Sequence, residues 1–340
     1  MQNIGNHFGL VYLDADEIGA YLEMHREHLF GVIGFGRAMP LPVMPCAPLW
    51  VGIPALGGRE NSFEVWTSDA SVTACNYSGI CGTTDGKVLF ASLTLEQRAG
   101  ESLQTLACHA YMRIFEFLDH HGYRSLLRVW HYFPLINDDE NGLERYRCFN
   151  IGRHEAFVAS GRGLGEESFP AASALGSNGG SLTIYFMAGK QPGKAVENPR
   201  QVSAYHYPEQ LGPRSPIFVR AISATLGGQD CFFISGTASI VGYETLHLGD
   251  TEKQTDETLL NIRTLIQQIP HYDPARGRML LKVYLRHADD LAMVQSKVQA
   301  EFGAACHAVY LHTNICRSDL LLEIEGAYFS DAQDAWAATA

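Results

Sequence analysis

The chain carries little charge, and what it carries is unequally shared. Only 18% of its 340 residues are charged, below the ~25% usual in soluble domains. Lysine and arginine number 25 against 37 aspartates and glutamates, a net charge of −12. Such a field repels phosphate backbones and offers no basic stripe for counterion release, which argues against a nucleic-acid partner. A small anion is not excluded, because it reads local arginines rather than the net charge. Long hydrophobic runs are missing too. No stretch approaches the ~18 apolar residues of a membrane span, and the opening MQNIGNHFGLVYLDADE has no basic segment followed by an apolar run. We therefore expect a soluble, cytoplasmic chain with no membrane partner. Eight cysteines are scattered without a secretory signal, so reduced thiols are expected. Cys75 and Cys81 lie closest together, but their spacing fits no zinc or redox motif and their run is strand-like.

Signature motifs are equally scarce. There is no Walker A run, no HExxH, no G-x-S-x-G and no paired CxxC. Gly161-Arg162-Gly163-Leu164-Gly165 is glycine-rich but follows a helix-like segment, so it reads as a loop rather than a dinucleotide site. Of 14 histidines only His120 and His121 are adjacent, and neighbours on a helix point apart rather than converging on one ion. No metal is expected.

What is present is an apolar fraction of 46%, enough for a large core. Residues 1–70 are rich in Gly and Pro and read as an irregular lead-in. From residue 71 the pattern sharpens. Two β-rich runs flank Thr84-Asp85-Gly86, and apolar residues from Leu103 to Leu118 recur at helical spacing. A strand (126–134), a helix from Gly142 to about Phe157, and two strand-like runs (168–176 and 181–189) follow. A Pro-containing connection spans 191–217. Then the order repeats over 218–330: two strands around Gly227-Gly228, a helix through Leu259–Ile269, a strand at 280–288, a helix from Leu291 to Phe302, and strands at 308–313 and 320–326. Both halves read ββαβαβ(β), an α+β unit duplicated within one chain.

Three segments carry candidate chemistry. YHYPEQLGPRSPIFVRA (205–221) gathers Tyr207, Arg214 and Arg220 between prolines, residue types suited to gripping a carboxylate. GLERYRCFNIGRHEAF (142–157) offers Arg145, Arg147 and Arg153, although charges on a helix usually face solvent. NICRSDLLLEIEG (314–326) sets Cys316 and Arg317 at a turn before a strand in which Glu323 and Glu325 share one face. A carboxyl in an apolar site favours its neutral form, as a general acid at neutral pH requires, whereas a nearby arginine pulls the other way. The pattern is equally that of a strand with a solvated face.

These segments, together with FFISGTASIVGYETLHLGDTEKQTDETLLNIRTLI, WHYFPLIN and FPAASALG, resemble the chorismatases of the FkbO/RapK-like type over about residues 120–330. The resemblance implies a fold similar to the YjgF/RidA proteins: two ββαβαβ modules packed side by side, an N-terminal one (71–190) and a C-terminal one (218–330). RidA-like proteins place a carboxylate-binding arginine in a turn before a final strand. Arg317 in CRSD holds that place in the second module, and Ala172 in PAAS is expected to be its silent counterpart in the first. One competent pocket follows, with the N-terminal module as its wall.

The resemblance also implies the chemistry. Chorismate is a dianion, so Arg317, Arg214, Arg220, Tyr207 and Arg153 are the expected clamps, and Gly236 and Ala238 are expected to shape the pocket. A glutamate protonates the enolpyruvyl methylene and releases pyruvate; Glu323 is the first candidate and Glu325 the second. No cofactor is required. In this family a cysteine at the turn goes with 3-hydroxybenzoate formation and an alanine with hydrolysis to a dihydroxycyclohexadiene carboxylate, so Cys316 points to 3-hydroxybenzoate; a further branch that makes 3- and 4-hydroxybenzoate together stays open. A chorismate hydrolase giving the dihydroxycyclohexadiene carboxylate plus pyruvate, a RidA-like imine hydrolase and a non-catalytic binder of aromatic or keto acids are the rival readings. RidA-like modules associate as trimers, and a chain holding two of them is expected to be a monomer or a small homo-oligomer.

Overall fold

The computed structural model describes residues 8–269, 277–303 and 306–330. Its strands are β1 (Gly9–Asp14), β2 (Leu29–Gly36), β3 (Leu49–Val51), β4 (Asn61–Thr67), β5 (Thr73–Tyr77), β6 (Ile80–Thr84), β7 (Val88–Leu95), β8 (Ser125–Pro134), β9 (Asp139–Glu140), β10 (Leu143–Glu144), β11 (Ala171–Ser177), β12 (Leu182–Gly189), β13 (Lys194–Val196), β14 (Ala221–Leu226), β15 (Gln229–Thr237), β16 (Ile240–Val241), β17 (Glu244–Thr245), β18 (Gly277–Leu285), β19 (Cys306–His312) and β20 (Leu322–Ser330). The α-helices are α1 (Ile18–Met24), α2 (Leu103–His121), α3 (Arg145–Ala159), α4 (Thr251–Ile266) and α5 (Leu291–Phe302).

The duplication is present strand for strand. One sheet runs β5-β6-β7-β12-β8-β11 and the other β13-β14-β15-β20-β18-β19. In each, the outermost pair (β8/β11 and β18/β19) is parallel and the strand beside it antiparallel. Helices α2 and α3 belong to the first module and α4 and α5 to the second. Ser102 and Asp250 start α2 and α4 by accepting from the backbone N–H three residues on. The stretch around Asp85-Gly86 holds three strands, β5 and β6 before the turn and β7 after it, rather than two, because Ser78 and Gly79 both take positive φ and close a second tight hairpin. Lys194–Val196, within the expected connection, joins the second sheet as its edge.

The lead-in is not irregular. Residues 9–67 form a four-stranded sheet ordered β1-β4-β2-β3, again with a parallel outer pair and an antiparallel strand beside it. Its order matches β15-β20-β18-β19, so it is a shortened third copy. The prolines crowd the stretch between β2 and β3, where the other copies carry a helix. The central strands β4, β12 and β20 bring Glu64, Tyr185 and Glu325 to one buried point. There Lys282 Nζ lies 2.6 Å from Glu64, 2.7 Å from the Tyr185 hydroxyl and 2.7 Å from Glu325.

The cysteines depart from expectation at one place. Cys46 and Cys81 are joined as a disulfide that ties the β2–β3 connection to β6, while Cys75, Cys108, Cys148, Cys231, Cys306 and Cys316 are free. No described helix is long and apolar enough to cross a membrane.

Candidate active site

Strand β20 explains why a pocket forms between the modules. Its alternate residues Leu322, Ile324 and Tyr328 pack with Leu259 and Ile262 of α4, closing the second module's own core. The residues between them, Glu323, Glu325, Ala327 and Phe329, therefore face the first module. Both glutamates are buried, so the solvated-face reading of the strand does not hold.

The two carboxyls live in different surroundings. Glu325 accepts from Trp130 Nε1 and the Tyr284 hydroxyl, each at 2.9 Å, and from Arg128 and Ser173, besides pairing with Lys282. Lys282 and Arg128 hold its carboxyl below the usual range despite burial. It lines neither part of the cavity and is a permanent carboxylate of the inter-sheet cluster. As second candidate acid it is poorly placed: its charged partners favour the ionised form, and it lies away from the crevice and the recess. Glu323 is the reverse. Its Oε1 has no hydrogen-bond partner, and Oε2 meets only the Cys316 thiol at 3.7 Å. Burial, aided by the negative charge of Glu325, pushes it up to about 8, so it holds its proton at neutral pH. Burial likewise pushes the Cys316 thiol up, keeping it neutral.

Glu323 lines both a crevice of about 390 Å³ and a neighbouring recess of about 30 Å³; Cys316, Gly236, Tyr146, Asn150 and Phe218 also line both. Gly236 sits where β15 carries an extra residue against β20, between Ile234 and Thr237, a bulge of the kind that re-aims side chains beside active sites. Ala238 follows on the crevice wall. Arg317 turns its Nη1 to the Tyr243 carbonyl at 2.9 Å and its guanidinium over the Tyr207 ring at 5.3 Å. Arg220 is buried and donates to the Tyr207 hydroxyl at 2.7 Å and to the Val202 carbonyl. Tyr207 thus braces two arginines. Arg214 is exposed at the rim. Arg153 lines the recess with Nε and Nη2 unpartnered, its guanidinium over Tyr111.

The helix arginines overturn the expectation of a solvated face. Arg145 and Arg153 are buried, and Arg145 pairs with Glu140. Arg147 lines the crevice and pairs with Glu144 at 3.3 Å. The reason is that α3 is covered on one side by α2 and on another by the 205–216 segment. Ala172 is not the counterpart of Arg317. It lies on β11, whose partner copy is β19, whereas the turn before β12 (178–181) corresponds to the turn that carries Arg317. Sequence reasoning missed Tyr146, Asn150, Phe218 and Tyr243; the polar and aromatic richness of 142–157 and 205–221 hinted at the first three. Among the described residues no group of three or more His, Cys, Asp or Glu is placed to hold a metal ion.

The arrangement can hold a dianion against arginines and deliver one proton from a dry carboxyl. Comparisons with known proteins bear on the family of the chain. A family model described as chorismatase FkbO/Hyg5-like, N-terminal, matches residues 64–188. A "3-hydroxybenzoate synthase" of Streptomyces hygroscopicus is 36% identical over 315 residues, 88% of this chain and 91% of its own length. A "Chorismatase" of Streptomyces rapamycinicus is 35% identical over 278 residues, 78% of this chain and 82% of its own. A chorismatase crystal structure superposes at a TM-score of 0.82, with 29% identity, covering 95% of this chain and 98% of its own. With identity at this level over most of both chains, and a fold shared from end to end, the protein belongs to the chorismatase family.

Proposed function

We propose that this chain converts chorismate to 3-hydroxybenzoate and pyruvate. The observation that carries the reading is the buried Glu323, its Oε1 without a hydrogen-bond partner, lining a crevice that Arg147, Arg214, Arg220 and Arg317 also line. Chorismate's two carboxylates require two cationic clamps, and two are on hand. Arg317 and Arg220 stand together on Tyr207, and Arg153 waits with free donors in the recess. Arg214 at the rim draws the dianion in despite the chain's net −12.

Glu323 gives its proton to the enolpyruvyl methylene. The side-chain carbon bearing the ether oxygen becomes an oxocarbenium centre. The ring carbon–oxygen bond then breaks, its oxygen staying with the side chain as the ketone of pyruvate. The neighbouring ring hydroxyl moves onto the vacated ring carbon, and loss of a ring proton, which reprotonates Glu323, leaves the aromatic hydroxybenzoate. The atoms of chorismate equal those of 3-hydroxybenzoate plus pyruvate, so this outcome consumes no net water and no redox partner. Hydrolysis to the dihydroxy diene acid takes up one water. Cys316, neutral and beside Glu323 Oε2, fills space that such a water needs and steers the reaction to the aromatic product, with 4-hydroxybenzoate as a side product. Positioning and electrostatics in a dry site supply the rate without a cofactor. All three sheets around the buried cluster come from one chain, which supports a monomer.

The test is to incubate the purified protein with chorismate, follow pyruvate by a coupled reaction and identify the aromatic product. Glu323→Gln should cut turnover roughly 10²–10⁴-fold, the range of general acid catalysis. Undiminished turnover would refute the role of Glu323. Ammonia release from imines with chorismate untouched would favour the hydrolase reading, and calorimetric binding without consumption a binding protein.

A further inference from the structure

Cys316 is held in place by a residue outside the crevice. Arg286, just past the end of β18, spends its whole guanidinium on the turn before β20. Its Nη2 donates to the carbonyls of Ile315 at 3.4 Å and Arg317 at 2.9 Å, the residues on either side of Cys316. Its Nε donates to the Leu320 carbonyl at 2.8 Å and its Nη1 to Asn314 Oδ1 at 2.7 Å. Asn137, from the first module, completes the clasp: its Oδ1 accepts from Arg286 Nη2 at 3.3 Å and its Nδ2 donates to the Ile315 carbonyl at 3.0 Å. Neither residue lines the crevice or the recess.

A planar guanidinium with donors in a fixed fork can fix several acceptors at once, which a lysine ammonium cannot. Holding the carbonyls of Ile315 and Arg317 restrains the turn that carries Cys316, and with it the place of its thiol. We propose that Arg286 and Asn137 are positioning residues for product choice: they hold Cys316 against Glu323 so that water is kept from the oxocarbenium centre. The inference rests on the chorismate reading above. The clasp also bridges the modules, since Asn137 belongs to the first and the turn before β20 to the second.

The test compares wild type, Arg286→Lys and Asn137→Ala with chorismate as substrate, measuring pyruvate release, the ratio of 3-hydroxybenzoate to dihydroxy diene acid, and thermal unfolding. Both variants should raise the diene-acid share several-fold, while pyruvate release falls less than tenfold. A structural role alone would lower the melting temperature and leave that ratio unmoved, and this result overturns the proposal. Should Arg286→Lys fail to fold, Asn137→Ala decides: an unchanged ratio in it overturns the proposal. If wild type itself leaves chorismate untouched, the functional reading fails and takes this one with it; if wild type reacts and the variants keep its ratio, only the clasp fails.

Discussion

The Glu323 carboxyl occupies the space that a side chain at position 236 would need. A Cβ built on Gly236 would lie 2.0 Å from Glu323 Oε1 and 2.6 Å from its carboxyl carbon. The extra residue in β15 brings this backbone up against the acid, so the glycine is there for clearance. Gly236→Ala should therefore displace Glu323 and lower kcat, by about 10²-fold if the shift is near 1 Å. Stability should change little by comparison, because the site opens to the crevice. Steady-state kinetics beside thermal unfolding checks this; an active Gly236→Ala enzyme would mean that the acid has other room.

The proton on Glu323 fixes the sign of two pH effects. Its folded value of about 8 lies above the ordinary 4.5, so between those values the native state holds a proton that the unfolded chain gives up. This stabilisation is complete below about pH 4.5 and is lost as pH rises towards 8. Glu323→Gln, which cannot ionise, should gain stability relative to wild type across that window, by on the order of a few kcal/mol at its upper end. Activity of the wild type should fall as pH rises through about 8. Denaturant melts at several pH values and a kcat/KM profile test the two. A stability gap that does not widen between pH 5 and 8 would contradict the buried, protonated acid.

Glu325 acts at a distance of two residues. Its fixed negative charge helps to raise Glu323, so Glu325→Gln should move the alkaline limb of the activity profile to lower pH. The same change leaves Arg128 and Lys282 without their shared partner, although Lys282 keeps Glu64. Breaking a buried pair costs about 3–5 kcal/mol, so a substantial drop in unfolding midpoint should accompany the shift. An unshifted profile in a folded variant would show that burial alone sets the acid.

These residues also mark how much was legible beforehand. The periodicities of 218–241, 259–269 and 280–326 give the second module, because each apolar face there answers to its own neighbouring element. The third sheet escaped notice because its strands are short and its Gly- and Pro-rich connection hides their alternation. For the site, Glu323, Cys316 and Arg317 could be named from one strand and its turn. The separation of Glu323 from Glu325 could not, since it depends on Arg128, Trp130 and Ser173, nearly 200 or 150 residues away in sequence. The burial of Arg153 is likewise a matter of what covers α3, which no helical pattern records.

Cys316→Ala should divert product towards the dihydroxy diene acid. The thiol is buried, neutral and 3.7 Å from Glu323 Oε2, so its removal opens a methyl-sized space beside the acid that a water can enter, given the carboxyl there to bind it. Pyruvate release should persist within about tenfold, since the proton donor is untouched. Chromatography of the products reads the ratio, and an unchanged ratio would refute the steering role.

The disulfide yields the last expectation. Cys46 and Cys81 close a loop of 35 residues between the shortened third sheet and β6. In the chain-entropy picture a loop of that size contributes about 3–4 kcal/mol. A reductant should lower the melting temperature, and alkylation under denaturing conditions should count six thiols before reduction, those of the free cysteines, and all eight after it. Chorismate turnover should survive reduction below the new melting temperature, because neither cysteine lines the crevice. The bond acts on the β2–β3 connection, at the stretch where this copy lacks a helix to hold it down. A protein that shows eight free thiols from the start, with an unchanged melt, would mean that packing alone secures that stretch.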